Sequence, residues 1–290
     1  GNFPHYLKPF VFSYPAGKVF AYFEVKAVGA KGENTATALE DTLRGFQQAG
    51  CRRLHVVAHS LGATCFLSAL PRLTTLFKPW NPAGTGLPHE SPPTWERQMV
   101  LSSLTLLNPD YPVDDWTANT FFDVRERCGL VTMYADRDDG ALPWSERLQW
   151  DFHRGGLLGR PTPSLGRGLD DMWIPQPGTG GSLGTASVTH NAPLLEGSGD
   201  RQWHYTFCAP GIERHKLHRR YLDMDVVDTT WMESNVHAVR HSYFNLNKDL
   251  IDDLRELIVT GRRANHRPRL QRREGNVFVS FAAPSYVMNP

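Results

Sequence analysis

The fold class legible in the sequence is α/β, a mainly parallel sheet with helices on both faces, broken by a long Gly/Pro-rich insertion. Three observations predict it. Apolar runs of strand length alternate with stretches of helical period. The run from Arg53 to Leu70 passes from strand to helix through a tight turn with a serine, Ser60, at its apex. Later apolar runs close in acids, Asp110 and then Asp136, Asp138 and Asp139. In open α/β sheets ligands bind beyond the carboxyl ends of the strands, so Ser60 and these acids are expected to share one edge.

Taken in order, Lys8 to Pro15 is a short apolar and aromatic run between prolines, which predicts a first strand. Thr37 and Glu40 have capping-box spacing, Leu39, Leu43 and Phe46 fall on one helical face, and Gly50 stands where a C-terminal glycine belongs. Val56 and Val57 are β-branched and suit a buried strand, while Ala63, Phe66, Leu67 and Leu70 return to helical spacing. After Pro71 a proline-rich connection leads to strands at Met99–Leu107 and Leu130–Tyr134. From about Asp151 to Arg220 glycine and proline dominate and periodicity is lost, the mark of an insertion or lid. Pattern resumes as a strand at Tyr221–Val227, a stretch Val236–Phe244, and a helix over Asn247–Ile258 closed by Gly261, with Leu250, Ile251, Leu254, Leu257 and Ile258 as its apolar stripe. The expected organisation is a core over 1–150, an insertion or lid over 151–220, the last part of the core over 221–261 and a basic C-terminal extension over 262–290. That extension, with Arg262, Arg263, Arg267, Arg269, Arg272 and Arg273, is expected to be solvated, with a late strand at Asn276–Ala282.

A chain of 290 residues with 40% hydrophobic content can bury one sizeable core. Lysine and arginine total 31 against 30 acids, a formal net charge of +1, so no nucleic-acid partner is expected. No apolar run approaches the ~18 residues of a membrane span. Cys51, Cys65, Cys128 and Cys208 are scattered without metal or redox spacing, which favours a reducing intracellular compartment. The first residue is Gly1, so the start reads as processed or truncated.

A serine hydroxyl needs a base to take its proton and an acid to orient that base. Ser60, Asp139 and His241 supply nucleophile, acid and base, each after a candidate strand, and the helix after Ser60 aims unpaired N–H groups at a developing oxyanion. Ala58 and Gly62 are small, as a strand turning directly into a helix is expected to require on crowding grounds. Ser60 is thus a nucleophile-elbow candidate. His59 reads as a wall or packing residue, and His237 is the alternative base. The pairs His237/His241 and His215/His218 have helix-face spacing but no accompanying zinc signature, so neither a metal nor a cofactor is expected.

These residues resemble a family of α/β-hydrolases largely of unknown function. The resemblance rests on Phe12-Ser-Tyr-Pro15, Ala58-His-Ser-Leu-Gly62, Asn108-Pro-Asp110, Val131-Thr-Met-Tyr134 with Asp139-Gly-Ala-Leu142, and Arg240-His-Ser-Tyr-Phe244. It spans roughly Phe10 to Ile258 outside the insertion. It implies an α/β-hydrolase fold, N-terminally short, with Ser60 as nucleophile, Asp139 as acid, His241 as base and Asp110 as the secondary candidate for the acid. The family's upstream His-Gly segment, which contributes to the oxyanion hole, is not matched here, leaving the Leu61 amide as the visible donor. The expected activity is cofactor-free hydrolysis of a small-molecule ester or related acyl bond. The competing expectation is a catalytically silent hydrolase fold that contacts protein partners through the insertion and tail.

Overall fold

A computed structural model of the protein describes residues 4, 6–14, 25–80, 97–153, 163–168, 173–174, 206–207, 220–232 and 247–280. His241 and His237, the expected stretch Val236–Phe244, His215, His218, Cys208 and most of the Gly/Pro-rich insertion lie outside these residues. A mostly parallel, six-stranded sheet forms the core, ordered β1 (Arg53–His59), β2 (Val100–Leu107), β3 (Cys128–Ala135), β7 (Asp225–Asp228), β9 (Val277–Ser280) and β8 (Leu270–Glu274). All neighbours in it are parallel except the β8–β9 hairpin. Three short strands, β4 (Trp173–Ile174), β5 (Thr206–Phe207) and β6 (Arg220–Leu222), form a separate antiparallel sheet.

Strand register explains why the sheet is covered on two sides. Successive side chains on a strand point to opposite faces, so adjacent rows across the sheet face different cores. The row Leu106, Met133, Val226 and Val277 packs in the larger cluster, with Leu39 and Leu43 of α1 (Glu33–Gln48) and Phe66 and Leu70 of α2 (Leu61–Leu73). The next row, Leu107, Tyr134, Val227 and Phe278, packs in a second cluster with Leu250 of a later helix. Met99, Leu101, Leu104 and Leu106 are fully buried, consistent with a strand covered on both faces. Among the described residues β1 pairs only with β2, and Val57 on it is 43% exposed.

Several local expectations are corrected. Residues 6–14 form no strand: Phe10 and Val11 are exposed, while Phe12 and Tyr14 lean on the core from outside. Pro9 lacks the N–H that a ladder position would donate. Helix α1 begins at Glu33 after Gly32, so Thr37 and Glu40 lie inside it and form no capping box. Its end is as expected, with Gly50 at φ 92 just past Ala49. Pro71 does not stop α2, which continues to Leu73. The expected strand Tyr221–Val227 is two strands that part at Asp223 and Met224 to join different sheets.

The arginine-rich region over 262–280 is part of the sheet structure and not a free solvated run. The expected late strand appears as β9. Arg263 bonds Asp223 at 2.6 Å and Asp225 at 2.9 Å, Arg273 bonds Asp228 at 2.7 Å, and Arg269 pairs with Asp252 at 3.1 Å. Arg125 joins the same group through Asp223 at 2.5 Å. Burial alone would raise the Asp223 carboxyl, but Arg125 and Arg263 hold it below its ordinary value. Helix α4 (Lys248–Thr260) is capped by the Asn247 side chain and ends at Gly261 with φ 66. Its inner face is Leu250, Asp253 and Leu257, while Ile251 is 48% exposed. Asp253 turns inward because Arg267 meets it there at 3.0 Å.

Helix α3 (Leu142–His153) follows β3 and begins beside the strand ends that carry the acids. No helix among the described residues is long and apolar enough to cross a membrane.

Candidate functional site

Strands β1, β2 and β3 are adjacent and parallel, so their carboxyl ends bring Ser60, Asn108–Asp110 and Asp136–Asp139 to one edge. Ser60 joins β1 directly to α2 with φ 53 and ψ −124. Among the described residues the non-glycine positions with positive φ are Ser60 and Asn108, at φ 40. Each such position costs on the order of 1–3 kcal/mol and persists only where neighbours hold it. The neighbours are identifiable. Ser60 N–H donates to Leu107 O at 3.0 Å, and Ser60 O accepts from Asp110 N–H at 3.1 Å and Ala63 N–H at 3.0 Å. Leu61 opens α2, where the first-turn amides have no partner inside the helix.

The expected crowding is absent at Gly62. Ala58 is buried, but a Cβ built on Gly62 meets nothing within 4 Å, so glycine is not required there for space. The backbone strain sits at Ser60 itself.

Asp139 is 1% exposed. Its Oδ2 accepts from Asn108 Nδ2 at 2.8 Å, and its Oδ1 accepts from the amides of Ala141 at 2.8 Å and Leu142 at 3.2 Å. These bonds hold the carboxylate against the start of α3, where helix N–H groups and the dipole favour a negative charge. Asn108, itself anchored by its amide to Tyr134 O at 3.0 Å, thus carries the acid on a strained backbone. Asp136 is buried and accepts from Asp138 N–H at 2.9 Å, whereas Asp138 is exposed.

Asp110 has different company. Lys26 Nζ reaches its Oδ1 at 2.9 Å, Ser145 Oγ donates to the same oxygen at 2.7 Å, and its carbonyl accepts from the Thr64 hydroxyl. Burial pushes the Lys26 ammonium down, against the opposing pull of Asp110. Burial also raises Cys65 to about 11 and Tyr14 to about 12, the latter with help from Cys65 and Asp110. Both remain protonated at neutral pH, so the Cys65 thiol carries no thiolate there. His59 is half-buried.

Residues 163–168, which fall within the expected insertion, are built into this edge. Gly166 N–H donates to Pro109 O at 2.9 Å, Leu165 N–H to Tyr111 O at 2.7 Å, and Asp136 N–H to Gly166 O at 3.0 Å. Glu146 of α3 accepts from Ser164 N–H at 2.8 Å and from Arg167 Nη1 at 2.7 Å. The segment therefore bridges the loops after β2 and β3. A Cβ on Gly166 would lie 2.7 Å from Asn108 C and 2.8 Å from Leu142 Cδ1, so the backbone there must move to admit one. Gly166→Ala is expected to lower stability by about 1–3 kcal/mol, the usual cost of overpacking. Urea unfolding checks this, and an unchanged midpoint would contradict the close fit.

Lys26, Ser145 and Gly166, and the holding role of the Asn108 side chain, escape the sequence reading. Asn108 alone leaves a signal, since asparagine tolerates positive φ at a turn better than most residues. No group of three or more His, Cys, Asp or Glu side chains among the described residues could hold a metal ion.

No curated protein and no solved structure matches the chain. A family model described as alpha/beta hydrolase of unknown function (DUF900) matches residues 4–174, a span that holds Ser60, Asn108, Asp139 and Gly166 and stops short of His241. With a match over more than half its length and a mostly parallel sheet carrying helices, the chain belongs to this family of alpha/beta hydrolases.

Proposed function

We propose that the protein is a serine hydrolase that cleaves an ester or related acyl bond through an acyl-enzyme intermediate. The observation that carries this reading is the strained Ser60, held between strand and helix at the sheet edge that also bears the buried Asp139. Ser60 is the nucleophile of the elbow, His241 the base and Asp139 the acid that orients it. Asp139 is preferred to Asp110 because the Asp110 charge is already paired with Lys26.

In the first step Ser60 Oγ attacks the acyl carbon and its proton passes to His241. The carbonyl becomes an oxyanion that the Leu61 amide, at the positive end of α2, can receive. The bond to the leaving oxygen then breaks, and that oxygen takes the proton from His241. Water, deprotonated by His241, attacks the acyl-enzyme; the bond from the acyl carbon to Ser60 Oγ breaks, Oγ takes the proton back from His241, and the carboxylic acid leaves. No cofactor enters these steps.

The test is covalent labelling by a fluorophosphonate, read by mass of the Ser60 peptide, with Ser60→Ala as control. Labelling that Ser60→Ala abolishes is expected. Absence of Ser60-dependent labelling in the folded protein would overturn the proposal and favour a silent hydrolase fold with a structural or interaction role.

A further inference from the structure

We infer that Lys26, Asp110 and Ser145 form a positioning network that fixes the Ser60 turn relative to Asp139. This inference rests on the proposed roles of Ser60 and Asp139. The network can be followed bond by bond. Ser60 O accepts from the Asp110 amide at 3.1 Å, and the Asp110 carbonyl accepts from Thr64 of α2, so the loop after β2 grips both the serine and its helix. On the side-chain side, Asp110 Oδ1 accepts from Ser145 Oγ at 2.7 Å. Ser145 lies in the first turn of α3, the turn whose Ala141 and Leu142 amides are held by Asp139 Oδ1. Asp139 Oδ2 returns through Asn108 Nδ2 to the same loop, two residues before Asp110.

The ring thus joins serine, loop, helix and acid, and Asp110 is the junction. A carboxylate at 1% exposure holds that place only with its charge compensated. Lys26 supplies the compensation from the helical turn Val25–Ala30, with Nζ 2.9 Å from Asp110 Oδ1 and 3.5 Å from Ser145 Oγ. Its side chain is 7% exposed, so water screens the pair little. Lys26 therefore acts on the reaction through Asp110.

Two readouts on Lys26→Met and Ser145→Ala test this. One is the rate of Ser60 labelling by a fluorophosphonate. The other is hydrogen exchange at the Asp110 amide, with the central strand amides of Leu104 and Val131 as reference. In Lys26→Met, labelling is expected to slow tenfold or more and the Asp110 amide to lose protection by a similar factor, while Leu104 and Val131 keep theirs. Asp110 protection within twofold of wild type, or an equal loss at Leu104 and Val131, overturns the inference. If Lys26→Met does not fold, Ser145→Ala, which deletes one hydroxyl, decides in the same way, with a threefold or greater local loss expected. Wild-type protein that never labels at Ser60 defeats only the hydrolase reading, and Asp110 protection then decides the positioning role.

Discussion

Asp139→Asn is expected to lower ester turnover by about 10⁴-fold, or about 5 kcal/mol of transition-state stabilisation, under the proposed assignment. The substitution keeps the size of the side chain and reverses half of its hydrogen bonding. Asp139 now accepts from Asn108 Nδ2 through one oxygen and from the backbone amides of Ala141 and Leu142 through the other. An amide must set its own NH₂ against one of those donors, so donor faces donor in a buried site, at about 1–3 kcal/mol of stability. A base that relied on the carboxylate would also lose its orienting acceptor. Steady-state hydrolysis of p-nitrophenyl acetate measures the effect, with circular dichroism to establish folding. Activity within tenfold of wild type would remove Asp139 from the mechanism. Asp110→Asn is the comparison: full loss there with retention in Asp139→Asn would transfer the role of acid to Asp110.

Arg267→Met is expected to destabilise the protein by about 3–5 kcal/mol, a large share of a domain's usual ~5–15 kcal/mol. Arg267 is fully buried, and its Nη1 bonds Asp253 Oδ2 at 3.0 Å and Tyr134 Oη at 3.2 Å, while Tyr134 Oη donates to Asp253 at 2.6 Å. The cluster ties α4 and the segment before β8 to the carboxyl end of β3. Removing the cation leaves the Asp253 carboxyl buried without its counter-charge, the costly case. Removing both charges is different. Among the described residues Arg267 Nε and Nη2 and Asp253 Oδ1 lack hydrogen-bond partners, so the pair is desolvated without full compensation. The double variant Arg267→Met with Asp253→Leu is therefore expected to recover most of the loss. Urea midpoints of wild type, single and double variants decide, and a double variant no more stable than Arg267→Met would show that the charges do not set the cost.

Much of the core was legible because its signals are local. The strands at Val100–Leu107 and Cys128–Ala135 are predominantly apolar runs, and the helices at Glu33 and Lys248 announce themselves by periodicity and by Gly50 and Gly261. The errors fall where a local signal met a tertiary demand. Phe10, Val11 and Phe12 have strand composition, but β propensity expresses itself only where a neighbouring strand receives the ladder. Tyr221–Val227 looked like one strand, yet its halves pair with different partners. The arginines after Gly261 looked like a solvated run because their acids, Asp223, Asp225, Asp228 and Asp253, lie far away in sequence.

The same division runs through the candidate site. By itself the sequence determined that a serine sits at a strand-to-helix turn and that acids close the next strands, since both follow from the order of residues along one element. Only the tertiary structure separated the two acids by their surroundings. Asp110 and Asp139 are alike as end-of-strand carboxylates, and they differ in what reaches them from elsewhere: Lys26 and Ser145 for one, Asn108 and the first turn of α3 for the other. A buried carboxylate takes its role from the donors around it, and those donors are set by packing between distant segments.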